Sequence, residues 1–317
     1  MGDYISQKFL STNYQEATGE VRVNMTNDYM FRAVLQENNE VLIALICSVL
    51  HLPRETVHSA EITNPIILGE HMGEKEVALD VNVYFDDASY INLEMQVADE
   101  GNWTERSLYY MCRNYSRLNK GDSYMDAKSS IQVGFLDFDL FEDEPAFFSN
   151  YYMCNPLTKK IYSDKLRIAV LNLTQIDSAT DEDKRYRIDT WARLFKARTW
   201  EEIRMLATED KAIEKAAGSI YALSADEAIM WECEARADYA RRKHDAQVLR
   251  ERLERDVERA EQRLAKVEQE RAKAEQERTK AEQERAKAEQ ERNEALDLAE
   301  NYRRMLLDRG IQIEGAE

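Results

Sequence analysis

The sequence contains few of the residues that build disulfide-bonded or metal-clipped folds. Among its 317 residues are four cysteines, four histidines, ten glycines and four prolines. The cysteines and histidines lack ligand spacing, which argues against structural zinc and favours reduced thiols in a cytosol. The apolar run 41–50 is too short to span a bilayer, and the first residues lack a signal-peptide pattern. We therefore expect a cytoplasmic protein with no membrane segment.

Positive charge is also scarce, and the deficit lies in the first three quarters of the chain. Residues 236–317 hold 20 basic and 21 acidic side chains, whereas residues 1–235 hold 23 and 40, a balance of −17. An acidic domain gains little from the non-specific phosphate attraction that dominates most DNA binding. We expect any affinity for DNA to be weak and salt-dependent, unless another factor delivers the protein.

Two segments alternate apolar and polar residues with a period of two, which is typical of strands with two different faces. They are residues 77–85 and 90–97, and the short polar segment between them predicts a turn and therefore a hairpin. If Asp86 pairs with Tyr90, the carboxylates of Asp80 and Glu94 share one face of this hairpin. The opposite face is apolar and is expected to enter the core.

The two carboxylates suggest a divalent metal site. Carboxylates held close together repel each other unless a cation lies between them, and carboxylate oxygens are preferred ligands of hard cations. The alternative is that Asp80 and Glu94 are solvated residues on the wet face of an antiparallel sheet.

The spacing of these acids resembles that of a known family. Asp80, thirteen residues and then Glu94-Met95-Gln96 resemble the Asp…Glu-x-Lys core of the PD-(D/E)XK nucleases, and more closely the PD-(D/E)XK nuclease family transposases, or recombination-promoting nucleases, in which Gln commonly replaces Lys. The segments 27–31, 103–110 and 131–138 also match this family in order, and the resemblance covers roughly residues 25–235. It implies a restriction-endonuclease-like α/β core and a bacterial protein.

The resemblance implies a metal-dependent DNA endonuclease linked to recombination or mobile-element activity. Asp80, Glu94 and Gln96 would be catalytic, and the metal would be bound by Asp80, Glu94 and the backbone carbonyl of Met95. The expected cofactor is Mg²⁺ or another divalent cation such as Mn²⁺ or Ca²⁺, which would activate a water for phosphodiester hydrolysis. Gln96 would position that water or contact the phosphate by hydrogen bonding, without a positive charge.

Other residues are weaker candidates for the same site. Glu40, and with it Glu37, is a candidate extra ligand from the first helix, although acidic residues at helical spacing are commonly exposed. Arg106 is a candidate phosphate contact because its planar guanidinium suits phosphate oxygens, and an ion pair with a nearby acid is the alternative. Arg106, Arg113 and Arg117 would lie along one helix face, as a phosphate-facing stripe or as a solvated face.

Residues after 235 form a charged repeat with a period of seven. Near copies of one heptad begin at Ala274, Ala281 and Ala288, without Gly or Pro, which predicts a long helix. One seam is apolar up to Val267 and then alternates Ala with Arg. This pattern fits a homodimeric coiled coil through residues 245–270 or a solitary charge-stabilised helix, and we favour the weak dimer.

The predicted organisation has three parts. They are an N-terminal arm at 1–24, a nuclease-like domain at 25–235 with a mixed sheet and flanking helices, and a charged helix, partly coiled coil, at 236–317. Within the domain we expect helices at 28–50 and 104–118, a strand at 131–139, a strand pair within 147–172 and helices from residue 183. Besides an endonuclease, two functions remain open: a catalytically inactive relative that assists DNA binding or assembly through its coil, and a scaffold whose function resides in the tail.

Overall fold

A computed structural model describes residues 14–66, 80–86 and 89–308 of the chain, excluding the side chain of Leu307. The described residues form one mixed six-stranded sheet, in the order β1-β2-β3-β4-β6-β5. The strands are β1 Ala60–Ile62, β2 Val81–Phe85, β3 Ser89–Gln96, β4 Ser129–Leu136, β5 Phe148–Tyr152 and β6 Leu166–Asn172. β3, β4 and β6 are parallel to one another, and the remaining neighbours are antiparallel. This architecture confirms the predicted α/β class.

β2 and β3 form the predicted hairpin, but its register differs from the expected one. Phe85 pairs with Ser89 and Tyr84 with Tyr90, so Asp86 has no partner in β3. Asp86 instead adopts a left-handed backbone with φ of 48°, and its carboxylate accepts hydrogen bonds from the backbone N–H groups of His58 and Ser59, at 2.8 Å each. The shift is two residues, which preserves the face of every side chain.

Eight α-helices lie within the described residues. They are α1 Asp28–Glu37, α2 Asn39–Leu50, α3 Trp103–Tyr115, α4 Asp181–Arg185, α5 Ile188–Lys196, α6 Trp200–Ala207, α7 Lys211–Ser224 and α8 Glu227–Asp308. Their placement confirms the predicted helix near 104–118 and the helical region after 183.

The single helix expected at 28–50 is wrong. Asn38 divides it into α1 and α2, because its backbone is extended and its side-chain oxygen caps the N–H groups of Glu40 and Val41. An asparagine in this position satisfies the orphan donors of a new helix and so makes a sharp bend inexpensive. The two helices are bent by 111°.

The two faces of the sheet differ in chemistry. One face is apolar and carries Val81, Ile91, Leu93 and Val133. It forms one core with helices that precede the sheet in the chain, α1 and α2, and with helices that follow it, α5 and α7. On that side the rings of Phe31, Phe135 and Phe195 contact one another with centroids 5.3–5.6 Å apart. The other face bears polar residues on β3 and β4 and is covered by α3.

The chain divides into two compact units, residues 1–244 and 245–317. The predicted boundary after residue 235 falls inside α8, and the division into domains at that point stays a prediction. Of the predicted arm, residues 14–24 pack within the first unit, where Tyr14, Val21 and Val23 contact the core and the backbones of Glu20 and Thr199 form an antiparallel β-bridge.

Within the residues that the structure describes, no single helix is both long and apolar enough to cross a membrane. The pair α1 and α2 meets that criterion only when the two bent helices are taken together.

Candidate active site

Helix α3 is fixed to the sheet through Trp103 and Gly134. The indole of Trp103 is buried and packs with Leu136 and Val170 on the α3 side of the sheet. A Cβ at Gly134 would lie 2.3 Å from Cζ2 of Trp103, so a side chain there would collide with the ring. Glycine at this position lets the first turn of α3 approach β4 closely, and the following turn therefore lies over the polar residues of β3.

The two predicted acids occur where the hairpin begins and where β3 ends. Val81 pairs with Leu93, so Asp80, one residue before β2, lies at the position that continues the ladder opposite Glu94. The charge of Asp80 contributes to the raised pKa of Glu94, which indicates that the two carboxylates are near each other. The structure thus brings Asp80 and Glu94 together, as the sequence predicted.

The backbone of Asp80 is held from the opposite face by a residue that sequence analysis missed. Arg32 on α1 is almost completely buried, and its Nη1 donates to the carbonyl oxygen of Asp80 at 2.6 Å. Its Nη2 donates to the carbonyl of Asn64, whose own amide donates to the Asp80 carbonyl at 3.0 Å. Burial lowers the pKa of Arg32, while the nearby charge of Asp80 opposes this effect.

The carboxylate of Glu94 accepts hydrogen bonds from two neighbouring elements, α3 and β4. Its Oε1 accepts from Nη2 of Arg106 at 2.5 Å, and its Oε2 accepts from Nε2 of Gln132 on β4 at 3.2 Å. Burial raises the pKa of Glu94 to about 7; Arg106 opposes this shift, whereas Asp80 and Glu100 add to it. A carboxylate in this environment gains from any additional cation that approaches it.

Gln96 contacts the same guanidinium rather than facing open solvent. Its Oε1 accepts from Nη2 of Arg106, and its Nε2 donates to the carbonyl of Ala98 at 2.9 Å. Both ends of the amide are therefore engaged, and the amide orients Arg106. These contacts use only one of the two amide N–H groups, so the expected positioning of a water by Gln96 stays a prediction.

Arg106 is the centre of the cluster. Besides Glu94 and Gln96, its Nη1 lies 3.6 Å from the carboxylate of Glu100, and that carboxylate also accepts from Lys243 at 2.6 Å. The alternative expected for Arg106, an ion pair with a nearby acid, is therefore what the structure contains, and the acids are Glu94 and Glu100. The cluster therefore places two cationic side chains, Arg106 and Lys243, beside the Glu94-Met95-Gln96 motif, in which Gln96 stands in place of a lysine.

Further polar groups surround the pair of acids. Tyr110, one turn after Arg106, has a raised pKa because of burial and because of the nearby charges of Asp80 and Glu94. Asn92 and Gln132 pair across β3 and β4 and are fully buried. Neither amide atom of Asn92, nor Oε1 of Gln132, has a hydrogen-bond partner among the described residues. Alternation along the strand was the only sequence signal for these amides.

The remaining candidates lie elsewhere. Glu40 is exposed and forms ion pairs with Lys215 and Arg54 at the start of α2. Within the described part of the chain no group of three or more His, Cys, Asp or Glu residues could hold a metal ion, so neither Glu40 nor Glu37 joins the acid pair. The Met95 side chain is buried in the core, and its backbone lies past the end of the β2 ladder. Residues 77–79 of the predicted first strand fall outside the described residues.

The expected stripe of three arginines on α3 does not form. Arg106 is directed toward the sheet, Arg113 is exposed, and Arg117 lies beyond the helix end at Tyr115. The guanidinium of Arg117 instead lies over the ring of Tyr90, 4.8 Å from its centroid. The C-cap at Ser116 ended the helix earlier than the sequence predicted.

The donors around Asp80 fit a hard divalent cation. The acids supply carboxylate oxygens, and the nearby unpartnered oxygens of Asn92 and Gln132 are neutral amide oxygens. Mg²⁺ commonly binds through one or two carboxylates together with water and substrate phosphates, so a pair of acids is sufficient. Soft sulfur or imidazole ligands, which would favour zinc, are absent from the residues described at this site.

Comparison with known families finds two models that match parts of the chain. A model of the family described as PD-(D/E)XK nuclease family transposase matches residues 25–252, which includes the sheet, α3 and the acid pair. A second model, described as a Helicobacter pylori protein of unknown function, matches residues 200–308 and so lies mostly on α8. Searches of curated proteins and of solved structures find no match.

Proposed function

The chain belongs to the family of PD-(D/E)XK nuclease transposases, and from this we propose that it is a metal-dependent DNA endonuclease linked to recombination or mobile-element activity. The observation that supports the proposal best is the contact of Glu94 with Arg106 on the β3 face where Asp80 also lies. An acid pair with a partly buried cation beside it provides the charges that phosphodiester hydrolysis requires.

In this proposal Asp80 and Glu94 hold Mg²⁺, with the carbonyl of Met95 as a further ligand. The bound ion would lower the pKa of a water and polarise the phosphoryl oxygen. Arg32 fixes the backbone of Asp80, and Gln132 orients one oxygen of Glu94. These contacts keep the two carboxylates in place before a substrate arrives, which lowers the reorganisation that catalysis would need.

Arg106 supplies the positive charge that a lysine at position 96 would have provided. Gln96 accepts from the guanidinium, so its role in this proposal is to position Arg106 rather than to hold the water. A guanidinium can bind two phosphate oxygens at once, and exchange of the Glu94 contact for a phosphate contact would bring Arg106 onto the scissile group. Tyr110 adds a hydroxyl near both acids.

The test is cleavage of supercoiled plasmid at low salt by the wild type, Asp80→Asn and Glu94→Gln, with Mg²⁺, Mn²⁺, Ca²⁺ and EDTA in turn. Both substitutions keep the side-chain size but remove a charged ligand. We expect metal-dependent nicking or linearisation by the wild type and a loss of more than about 100-fold in each variant.

The matched control is Glu105→Gln, since Glu105 lies on the same helix but is exposed and contacts Thr104. This variant should cut at the wild-type rate. No cutting by the wild type under any metal would instead favour an inactive relative that assists DNA binding or assembly. Equal cutting by wild type and Glu94→Gln would place the activity in another site or another protein.

We also infer that α8 mediates a homodimer. An apolar stripe on its first half is formed by Ala246, Leu249, Leu253 and Val257, and the side chains of the last three are about half exposed in the single chain. Leu264 and Val267 extend it, after which the seam alternates Ala with Arg. A second copy pairing along this stripe would bury it, and the charged heptads beyond would extend as a stiff helix.

Sedimentation equilibrium of the full chain tests the dimer. We expect a concentration-dependent dimer that Leu253→Ser together with Val257→Ser converts to a monomer. Substitution of Ala281 and Ala288 by Ser, in the charged heptads, should leave the dimer unchanged. Monomeric wild type at high concentration would refute the dimer and favour the solitary helix.

A further inference from the structure

An exposed surface lies at the edge of the sheet where β3, β4 and β6 begin, opposite to the edge that carries Glu94. It is formed by residues 113–128 and by the turn 153–165, in which the backbones of Cys154 and Ile161 form an antiparallel β-bridge. The ammonium of Lys165 donates to the carbonyls of Met125 and Ala127, at 3.0 and 2.7 Å, and so joins the two segments. We call these two segments the basic-aromatic surface.

Large side chains on this surface face solvent. Tyr124 and Tyr162 are 91% and 84% exposed, and Met125 and Leu157 are exposed to a similar extent. Single exposed apolar residues are common, but a concentration of them on adjoining segments marks an interaction site. Their exposure means that the packing of the domain does not explain them.

The surface is also positive within an acidic domain. The two segments contain seven basic and three acidic residues, whereas residues 1–235 as a whole have a balance of −17. Arg113, Lys120, Lys159 and Lys160 form no ion pair with any other residue that the structure describes. The carboxylates of Asp122 and Asp126 accept backbone N–H groups within their own loop. The surface therefore attracts a polyanion.

Exposed tyrosines beside unpaired lysines suit one class of polyanion in particular. Proteins bind unpaired nucleic acid by stacking bases on aromatic rings and pairing phosphates with basic side chains, whereas a duplex keeps its bases stacked internally. Stacking also supplies affinity that a domain of net negative charge does not obtain from phosphate attraction. We propose that the basic-aromatic surface binds single-stranded DNA, with bases stacked on Tyr124 and Tyr162.

The choice of DNA as the ligand rests on the proposed endonuclease function. The register of β4 gives the distance from the basic-aromatic surface to Glu94. Glu94 pairs with Gly134, five residues after the start of β4 at Ser129. At about 3.3 Å per residue, the start of β4 and the position of Glu94 are roughly 17 Å apart. A substrate that reaches both regions would have an unpaired stretch near the position that is cut.

The experiment measures the fluorescence anisotropy of labelled oligothymidine and of a labelled duplex with full-length protein in EDTA at low salt. Tyr124→Ala together with Tyr162→Ala should weaken oligothymidine binding at least about tenfold, since each stacked base contributes strongly. The corresponding double Phe variant should bind like the wild type. Lys159→Ala together with Lys160→Ala should weaken binding and reduce its salt dependence. The control is Lys184→Ala with Arg185→Ala, an exposed basic pair on α4.

Three results would overturn the proposal. The first is an unchanged oligothymidine affinity in the double Ala variant of the tyrosines. The second is tighter binding of the wild type to the duplex than to oligothymidine. The third is that this double Ala variant loses self-association in sedimentation while its DNA affinity is unchanged. The last result would make the surface a protein contact. EDTA prevents metal-dependent cutting, so the assay measures binding alone. A protein that binds but never cuts would refute the endonuclease and leave this surface supported.

Discussion

Gly134→Ala is expected to damage the fold and the candidate site together. The new Cβ would lie 2.3 Å from Cζ2 and 2.9 Å from Cε2 of Trp103, both well below the contact distance of ordinary carbon atoms. The indole is buried against Leu136 and Val170, so it can yield only by moving outward with the first turn of α3. Arg106 lies on the next turn.

Overpacking of this kind costs about 1–3 kcal/mol, and the rigid ring favours the upper part of that range. The same methyl group at Gly218, inside α7, meets no atom within 4 Å. Replacing a helical glycine there should stabilise the protein by about 0.5–1 kcal/mol. The two Gly→Ala changes are therefore expected to shift the free energy of unfolding in opposite directions, which makes Gly218→Ala a matched control.

Urea denaturation followed by circular dichroism would measure both variants, and plasmid cleavage would follow the site. Trp103→Phe combined with Gly134→Ala should recover part of the lost stability, because a smaller ring leaves room for the methyl group. If Gly134→Ala unfolds at the wild-type midpoint, Trp103 does not lie against β4, and the placement of α3 over the acids is refuted.

Three further predictions concern the interior. Arg32→Lys should lower the free energy of unfolding by about 1.5–3 kcal/mol in urea denaturation, because a lysine cannot make every charged hydrogen bond that holds Asp80; unchanged stability would contradict the role of the guanidinium. Tyr110→Phe should reduce plasmid cleavage at least about tenfold without changing the melting temperature, whereas a lower melting temperature at full activity would indicate a packing role. Burial raises the pKa of Cys233 to about 12, so the stability that its neutral thiol contributes is present below its ordinary value of 9.0 and is lost as pH rises towards 12. A thiol reagent at neutral pH should accordingly modify the exposed Cys112 and Cys154 in the folded chain, and all four cysteines in urea. Modification of more than two cysteines in the folded chain would contradict the burial of Cys47 and Cys233.

The sequence was sufficient for the parts of the fold that depend on local periodicity. Alternation along β2 and β3 identified both faces of the hairpin, because a strand exposes successive residues to opposite sides. It failed where one side chain decides the backbone. The turn begins one residue early, at Asp86, whose carboxylate accepts from His58 and Ser59, and Asn38 ends α1 by capping α2.

The same limit applies to the candidate site. Asp80 and Glu94 could be predicted because their spacing follows the hairpin and resembles that of a known family. Arg32 could not, since an arginine on the apolar side of a helix shows no sign of which carbonyl it will meet. Glu100 and Arg106 are close in sequence but Lys243 is remote from both, and the packing of α3 on Gly134 is what places Arg106 over β3.

The amides at the centre of the sheet have a consequence for how the protein would respond to selection. Asn92 and Gln132 occupy adjacent, fully buried positions on central strands, where alkyl side chains would ordinarily pack. Burying a polar group that lacks a partner costs about 1–3 kcal/mol. Selection for thermal stability alone should therefore drift toward valine or leucine at these two positions. The stabilised descendants would keep the fold and lose the polar wall beside Asp80 and Glu94, so their loss of activity would identify the part of the sheet that is kept for chemistry.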